Sequence, residues 1–211
     1  VLNKTKHEWK KHEKGLYVPK NRPESIEIPR MQFFAIEGQG NPNDSDFAEH
    51  VAALYSLSYG VRMSNKSGNA PEGYFEYTVY PLEGLWSLTE EGIRNFSGKI
   101  DKNELTYNLM IRQPEFVDAD FAQETIKETK IKKPHPLLDQ VKFISLTEGA
   151  CVQIMHLGSY DTEKQSFERM EEFCLENRLR RIGKNHREIY LSDPRKTATE
   201  KLKTVLRFPV E

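Results

Sequence analysis

The chain has 211 residues, 37% of them hydrophobic, and a formal net charge of −1; it is long enough to bury a core as one domain or two fused small units. Thirty-one Lys and Arg stand against 32 Asp and Glu, which leaves no global positive field for a phosphate backbone, so nucleic acid is not an expected partner. No apolar run approaches a membrane span, and Val1 to Lys14 is charged without the hydrophobic centre of a signal peptide, so a cytoplasmic protein with no membrane partner is expected.

Residues 1–30 read as an extended lead-in, because "GLYVPKNRPESIEIP" combines Lys and Pro in a way that favours extended chain over a separate core. "MQFFAIEGQG" then predicts a strand, and "DFAEHVAALYSLSYGVRM" an amphipathic helix begun by Asp46 or its neighbour. "YFEYTVYPLEGLWSL" predicts a strand interrupted by Pro81 and Gly84, a combination that suggests a bulge re-aiming Glu83 and Trp86. "TYNLMIRQP" is a further strand and "DADFAQETIKETKI" a second helix with an acidic start. After Lys-Lys-Pro-His-Pro, "KFISL" and "ACVQIMHLG" predict a hairpin around Thr147-Glu148-Gly149. "DTEKQSFERMEEFCLENRL" predicts a helix capped by Asp161, and "HREIYL" and "TVLRFPV" the closing strands.

The two halves repeat one order. Gly38 precedes Phe47 by the interval that separates Gly158 from Phe167, and each helix is followed by an aromatic strand carrying an acid, "FEYTVY" and "REIYL". This points to an internal duplication of strand, helix and two strands.

Candidate chemistry is sparse. The two cysteines, Cys151 and Cys174, form no Cys-x-x-Cys, and no His pair stands at ligand spacing, so no metal is expected. Cys174 shares a helical stripe with Phe167 and Met170 and reads as core. No Ser-His-Asp order or phosphate-cradling glycine loop is present, and "EGQG" is too short for a dinucleotide fingerprint, so no cofactor is expected. Strand alternation places Glu188 and Tyr190 side by side, with Ile189 and Leu191 facing away. For a lone Glu-x-Tyr that is ordinarily a solvated face. Trp86 suits core and pocket wall equally; Met110, His156 and Tyr160 are candidates whose ordinary roles are core, structural hydrogen bonding and loop packing. Together these residues offer aromatic rings, methionine and carboxylates on strands, the makings of a lipophilic pocket with an anionic anchor.

The segments "KKHEKGLYVPK", "YTVYPLEGLW", "NLMIRQPEFV", "EGACVQIMHLGSYD" and "HREIYLSDPRKTATEKLKTVLRFPV" resemble the GyrI-like small-molecule-binding family, and in particular its stand-alone members, some of which are cyclopropanoid cyclopropyl hydrolases. The resemblance implies an α+β fold of duplicated strand-helix-strand-strand (SHS2-like) units, with antiparallel sheets, helices on one side and a ligand groove between the repeats. It places the domain at 31–211, with repeats at about 31–133 and 141–211. It implies that Glu188 matches the buried glutamate that meets cationic lipophilic drugs in multidrug-sensing relatives. It also implies a pocket of Glu83, Trp86, Glu188 and Tyr190; Met110, His156 and Tyr160, from the reading of the strands and loop above, are added as expected ligand contacts. Two functions follow as expectations. One is metal-independent hydrolysis of a strained cyclopropane in a DNA-alkylating compound, with Glu188, helped by Glu83, as general base. The other is non-catalytic binding or sensing of lipophilic aromatic or cationic molecules. Inhibition of gyrase has no sequence feature in its favour.

Overall fold

The computed structural model describes residues 6–211; the first five residues of the lead-in lie outside the described residues. In chain order the elements are α1 (Trp9–His12), α2 (Lys14–Tyr17), β1 (Glu24–Ile28), β2 (Met31–Gln39), α3 (Ser45–Ser67), β3 (Leu82–Leu88), α4 (Glu90–Arg94), β4 (Leu105–Gln113), α5 (Ala119–Lys132), β5 (Lys142–Leu146), β6 (Gly149–Leu157), α6 (Glu163–Glu176), β7 (His186–Tyr190) and β8 (Lys203–Pro209). The expected strand-helix-strand-strand order recurs as β2-α3-β3-β4 and β6-α6-β7-β8 in an α+β fold with antiparallel pairing.

Spatially the chain forms two compact units that do not follow chain order. One holds Met31–Tyr80 and Leu88–Leu146 with residues 6–9 of the lead-in; the other holds Lys10–Arg30, Pro81–Ser87 and Thr147–Glu211. In the first unit β2 lies between β4 and β5, antiparallel to both. Helix α3 buries Ala53, Leu54, Leu57 and Val61 along one stripe, the spacing of a core-facing helix, and it stops at Gly68, whose left-handed φ of +80° returns its N–H to Asn65. Helix α5 starts where the Asp118 side chain accepts from Phe121 N–H.

In the second unit the strand order is β1-β6-β8-β7-β3, every neighbour antiparallel. The register sorts side chains onto two faces. Gly84 and Trp86 stand opposite Glu188 and His186, and Glu188 opposite Leu206, which pairs with Ile154. This face carries α6, whose Met170 and Cys174 are buried with Val152, Ile154, Leu206, Phe208 and Val210. On the other face, Glu83 pairs with Ile189, and Arg187 with Arg207, which pairs with Gln153. Residues of the lead-in cover it: Gln153 Nε2 donates to Gly15 O at 2.8 Å and Arg207 Nη2 to Leu16 O at 2.6 Å.

Four local expectations are corrected. The segments "KFISL" and "ACVQIMHLG" form strands but no hairpin, because a strand has two edges and those of β6 are taken by β1 and β8, while β5 pairs with β2. The strand expected to run through Tyr74 begins only at Leu82, directly after Pro81, which has no N–H for a ladder; Tyr77 makes an isolated bridge to His7. From Leu82 onward the β3 ladder is regular across Glu83–Trp86, with no bulge at Gly84. Finally, Asp161 lies in a short 3-10 turn and Thr162 precedes α6; it is the Ser159 hydroxyl that caps that turn, accepting from Asp161 N–H.

Candidate functional site

Alternation along β7 puts His186, Glu188 and Tyr190 on the α6 face, and antiparallel pairing brings Trp86 beside them. A donor chain results. Trp86 Nε1 donates to Tyr190 Oη at 2.7 Å, and Tyr190 Oη donates to Glu188 Oε2 at 2.9 Å. Glu188 Oε1 lies 3.0 Å from His186 Nε2. The carboxylate is thus aimed by two neighbours of its own strand, in a residue only 8% exposed.

Gly84 explains how the rings fit. A Cβ there would lie 2.6 Å from Trp86 Nε1 and 3.2 Å from Tyr190 Oη, so the missing side chain is the space the indole and phenol occupy. Gly84→Ala is expected to push the indole away, break its bond to Tyr190 and lower stability by about 1–3 kcal/mol. Tryptophan emission and a melting curve check this; an unchanged spectrum would mean that the indole does not rest there.

Helix α6 supplies a second carboxyl. Its buried positions Glu163, Ser166, Met170 and Cys174 form one stripe at helical spacing, so Glu163 is carried to the sheet at the helix start. Burial, then the Glu188 charge, a hydrogen bond with Glu188 and the Asp161 charge, push Glu163 well above the usual carboxylate range. Tyr190 rises above its ordinary value through burial first and then Glu188. Tyr160 meets the Tyr190 ring edge-on at 6.0 Å, and burial followed by Glu188, Glu163 and Asp193 pushes it up to about 12. One ligand atom each from Glu163, His186 and Glu188 lie within 4.8 Å of one another, so these three could hold a metal ion.

Glu188, Tyr190, Trp86 and Tyr160 are therefore brought together; His156 shares their sheet face, in the row that runs through Thr204 to Tyr190, while Glu83 and Met110 are placed elsewhere. Glu83 is on the opposite face of the same sheet, because it is one residue out of step with Gly84 and Trp86. Its Oε2 accepts from Arg187 Nη1 at 2.8 Å, and Arg187 Nε reaches Glu148 at 3.0 Å. Burial raises Glu83 against the lowering pull of Arg187 and Arg207; burial opposes the Arg187 charge, but Glu83 and Glu148 outweigh it and hold the guanidinium protonated. With both side chains at most 3% exposed, this carboxylate is committed to an ion pair. His156 is buried, with Nδ1 at 2.9 Å from Ser166 Oγ and Nε2 at 2.9 Å from Ser159 O, the ordinary structural role. Met110 is fully buried on β4 of the first unit.

Sequence reasoning did not single out Glu163 and His186. The period-2 alternation that paired Glu188 with Tyr190 also covers His186. The stripe ending in Cys174 extends back to Glu163, so both signals were present.

Residues 22–211 match the family model of the GyrI-like small molecule binding domain. The chain belongs to this family. Among solved structures, a hydrolase from Listeria innocua is 34% identical, with 98% of this chain and 100% of that one covered and a TM-score of 0.88. A second Listeria innocua structure described as a hydrolase is 36% identical over the same shares, with a TM-score of 0.89. The C-terminal domain of EcmrR is 12% identical over 90% of this chain and 97% of that one, with a TM-score of 0.52; it shares the fold. Nothing matches among curated proteins. As a GyrI-like domain the chain is a small-molecule-binding domain, and among the described residues no helix is long and apolar enough to cross a membrane.

Proposed function

We propose that this GyrI-like protein binds lipophilic aromatic molecules at the Glu188 cluster and hydrolyses an activated cyclopropane there, as in cyclopropanoid DNA-alkylating compounds. The observation that carries the reading is the aimed Glu188 carboxylate, held by Tyr190 and His186 and walled by Trp86 and Tyr160. The hydrolase description of the Listeria relatives supports it. Glu188 takes a proton from water as the water oxygen bonds to a ring carbon. The cyclopropane C–C bond breaks, its electron pair passes into the conjugated carbonyl, and that oxygen takes a proton from solvent.

A second reading has its own observation. Glu188 lies 3.0 Å from His186 and Glu163 stands in the same cluster, so two carboxyls share a site among aromatic rings, an arrangement that suits a cationic lipophile bound without turnover. Incubation with a duocarmycin-type cyclopropanoid and mass spectrometry separates the two. More than one equivalent of ring-opened, hydrated product is the expected result; binding without product assigns the site to sensing.

Trp86 gives an independent check on binding. An aromatic ligand is expected to quench or shift its emission, and Trp86→Phe to weaken binding while the protein stays folded. Trp9 belongs to the other unit, its Nε1 donating to Val79 O at 2.9 Å. Its emission is expected to change much less, and a ligand response that survives in Trp86→Phe would contradict the placement.

A further inference from the structure

We infer that Glu163, His186 and Glu188 form a binding site for one divalent transition-metal ion of the zinc class. Three features point to it. The donor set is one imidazole nitrogen and two carboxylate oxygens, which suits zinc, cobalt or manganese over calcium or magnesium. The donor atoms already lie within 4.8 Å of one another, so a small contraction would bring all three to the roughly 2.0–2.2 Å bonds of such an ion. Glu163 is 8% exposed, and its Oε1 is buried without a hydrogen-bond partner among the described residues.

That last atom is the independent observation. A buried oxygen with no donor carries a desolvation cost; without a cation Glu163 meets its burial by holding a proton against Glu188, and a cation shared with Glu188 and His186 would take that proton's place. An outer shell is also present. Tyr190 Oη donates to Glu188 Oε2 and orients the carboxylate from outside the donor cluster, while Oε1 lies 3.0 Å from His186 Nε2, a contact that a shared ion would replace. Three protein ligands leave a fourth position for water or a ligand atom, the pattern of an open site. The donors come from two elements fixed by the core, β7 and the first residue of α6.

The test uses Co²⁺ as a coloured stand-in for Zn²⁺. Chelator-treated, buffer-exchanged protein is titrated with Co²⁺ and followed by visible absorption. One equivalent per chain is expected to develop a ligand-field band that Zn²⁺ then abolishes. Glu163→Gln and His186→Asn, each confirmed folded by its melting curve, are expected to weaken binding by more than about tenfold. A second readout needs no variant of the ligands. Zn²⁺ is expected to change tryptophan emission with a one-equivalent end point, because Trp86 reaches Glu188 through Tyr190, and Trp86→Phe removes that change. No band at millimolar Co²⁺, or a band of equal affinity in Glu163→Gln, overturns the inference. The inference shares the Glu188 cluster with the proposed hydrolysis, yet the two fail separately: absent product leaves the cobalt band in place, and an absent band leaves the ring-opening assay unaffected.

Discussion

Glu188→Gln is expected to fold, to bind a neutral aromatic substrate, and to lose about 10²–10⁴-fold of its turnover, the usual contribution of a positioned general base. The amide keeps the shape of the carboxylate and can still accept from Tyr190, which now donates to Glu188 Oε2 at 2.9 Å. What it loses is the basicity that takes a proton from water. If the site instead counters a cationic ligand, the same change weakens cations selectively and leaves neutral ligands alone. Were Glu188 an ordinary solvated strand residue, neither activity nor binding would change and stability would shift by no more than about 0.5 kcal/mol. Its 8% exposure and its two side-chain partners already argue against that outcome.

Arg187→Met is expected to cost about 3–5 kcal/mol, because it leaves Glu83 buried without its cation. At roughly 2–4 °C per kcal/mol for a chain of this size, the melting temperature falls by about 6–20 °C. Arg187 is the hub of this face: Nη1 bonds Glu83, Nε bonds Glu148, and Arg207 Nη1 lies 3.9 Å from Glu148 Oε2. Replacing both partners, Arg187→Met with Glu83→Met, is expected to recover most of the loss, since apolar residues of similar volume often match a buried ion pair. A single variant that melts within about 2 °C of the parent would show that the pair is not held as described.

Much of the fold was legible because it rests on local pattern. Alternation in "HREIYL" gave the facing of Glu188 and Tyr190, and the spacing of Leu54, Leu57 and Val61 gave α3. Partner choice was less legible. The turn residues Thr147-Glu148-Gly149 looked like a hairpin, but which edges β6 offers depends on β1 and β8, residues far away in sequence. The face of Glu83 was lost in the same way: treating Pro81 and Gly84 as a bulge blurred the register, whereas a regular ladder sets Glu83 opposite Ile189 and away from Glu188. Gly84 is a glycine for close approach of two rings, a reason that appears only once Trp86 and Tyr190 are side by side. Glu163 shows the remaining gap, since its stripe was readable but its partner is on a strand 25 positions later, and a buried acid at a helix start looks in sequence like a favourable end charge.

The most direct measurement is hydrated product formed per mole of protein over time, from a duocarmycin-type cyclopropanoid, for the parent, Glu188→Gln and Glu83→Gln, each confirmed folded. The expected result is multiple turnovers in the parent, a loss of about 10²–10⁴-fold in Glu188→Gln, and in Glu83→Gln an effect read mainly as a lower melting temperature. Full turnover in Glu188→Gln beside its loss in a folded Glu83→Gln would contradict the assignment and move the chemistry to the opposite face of the sheet.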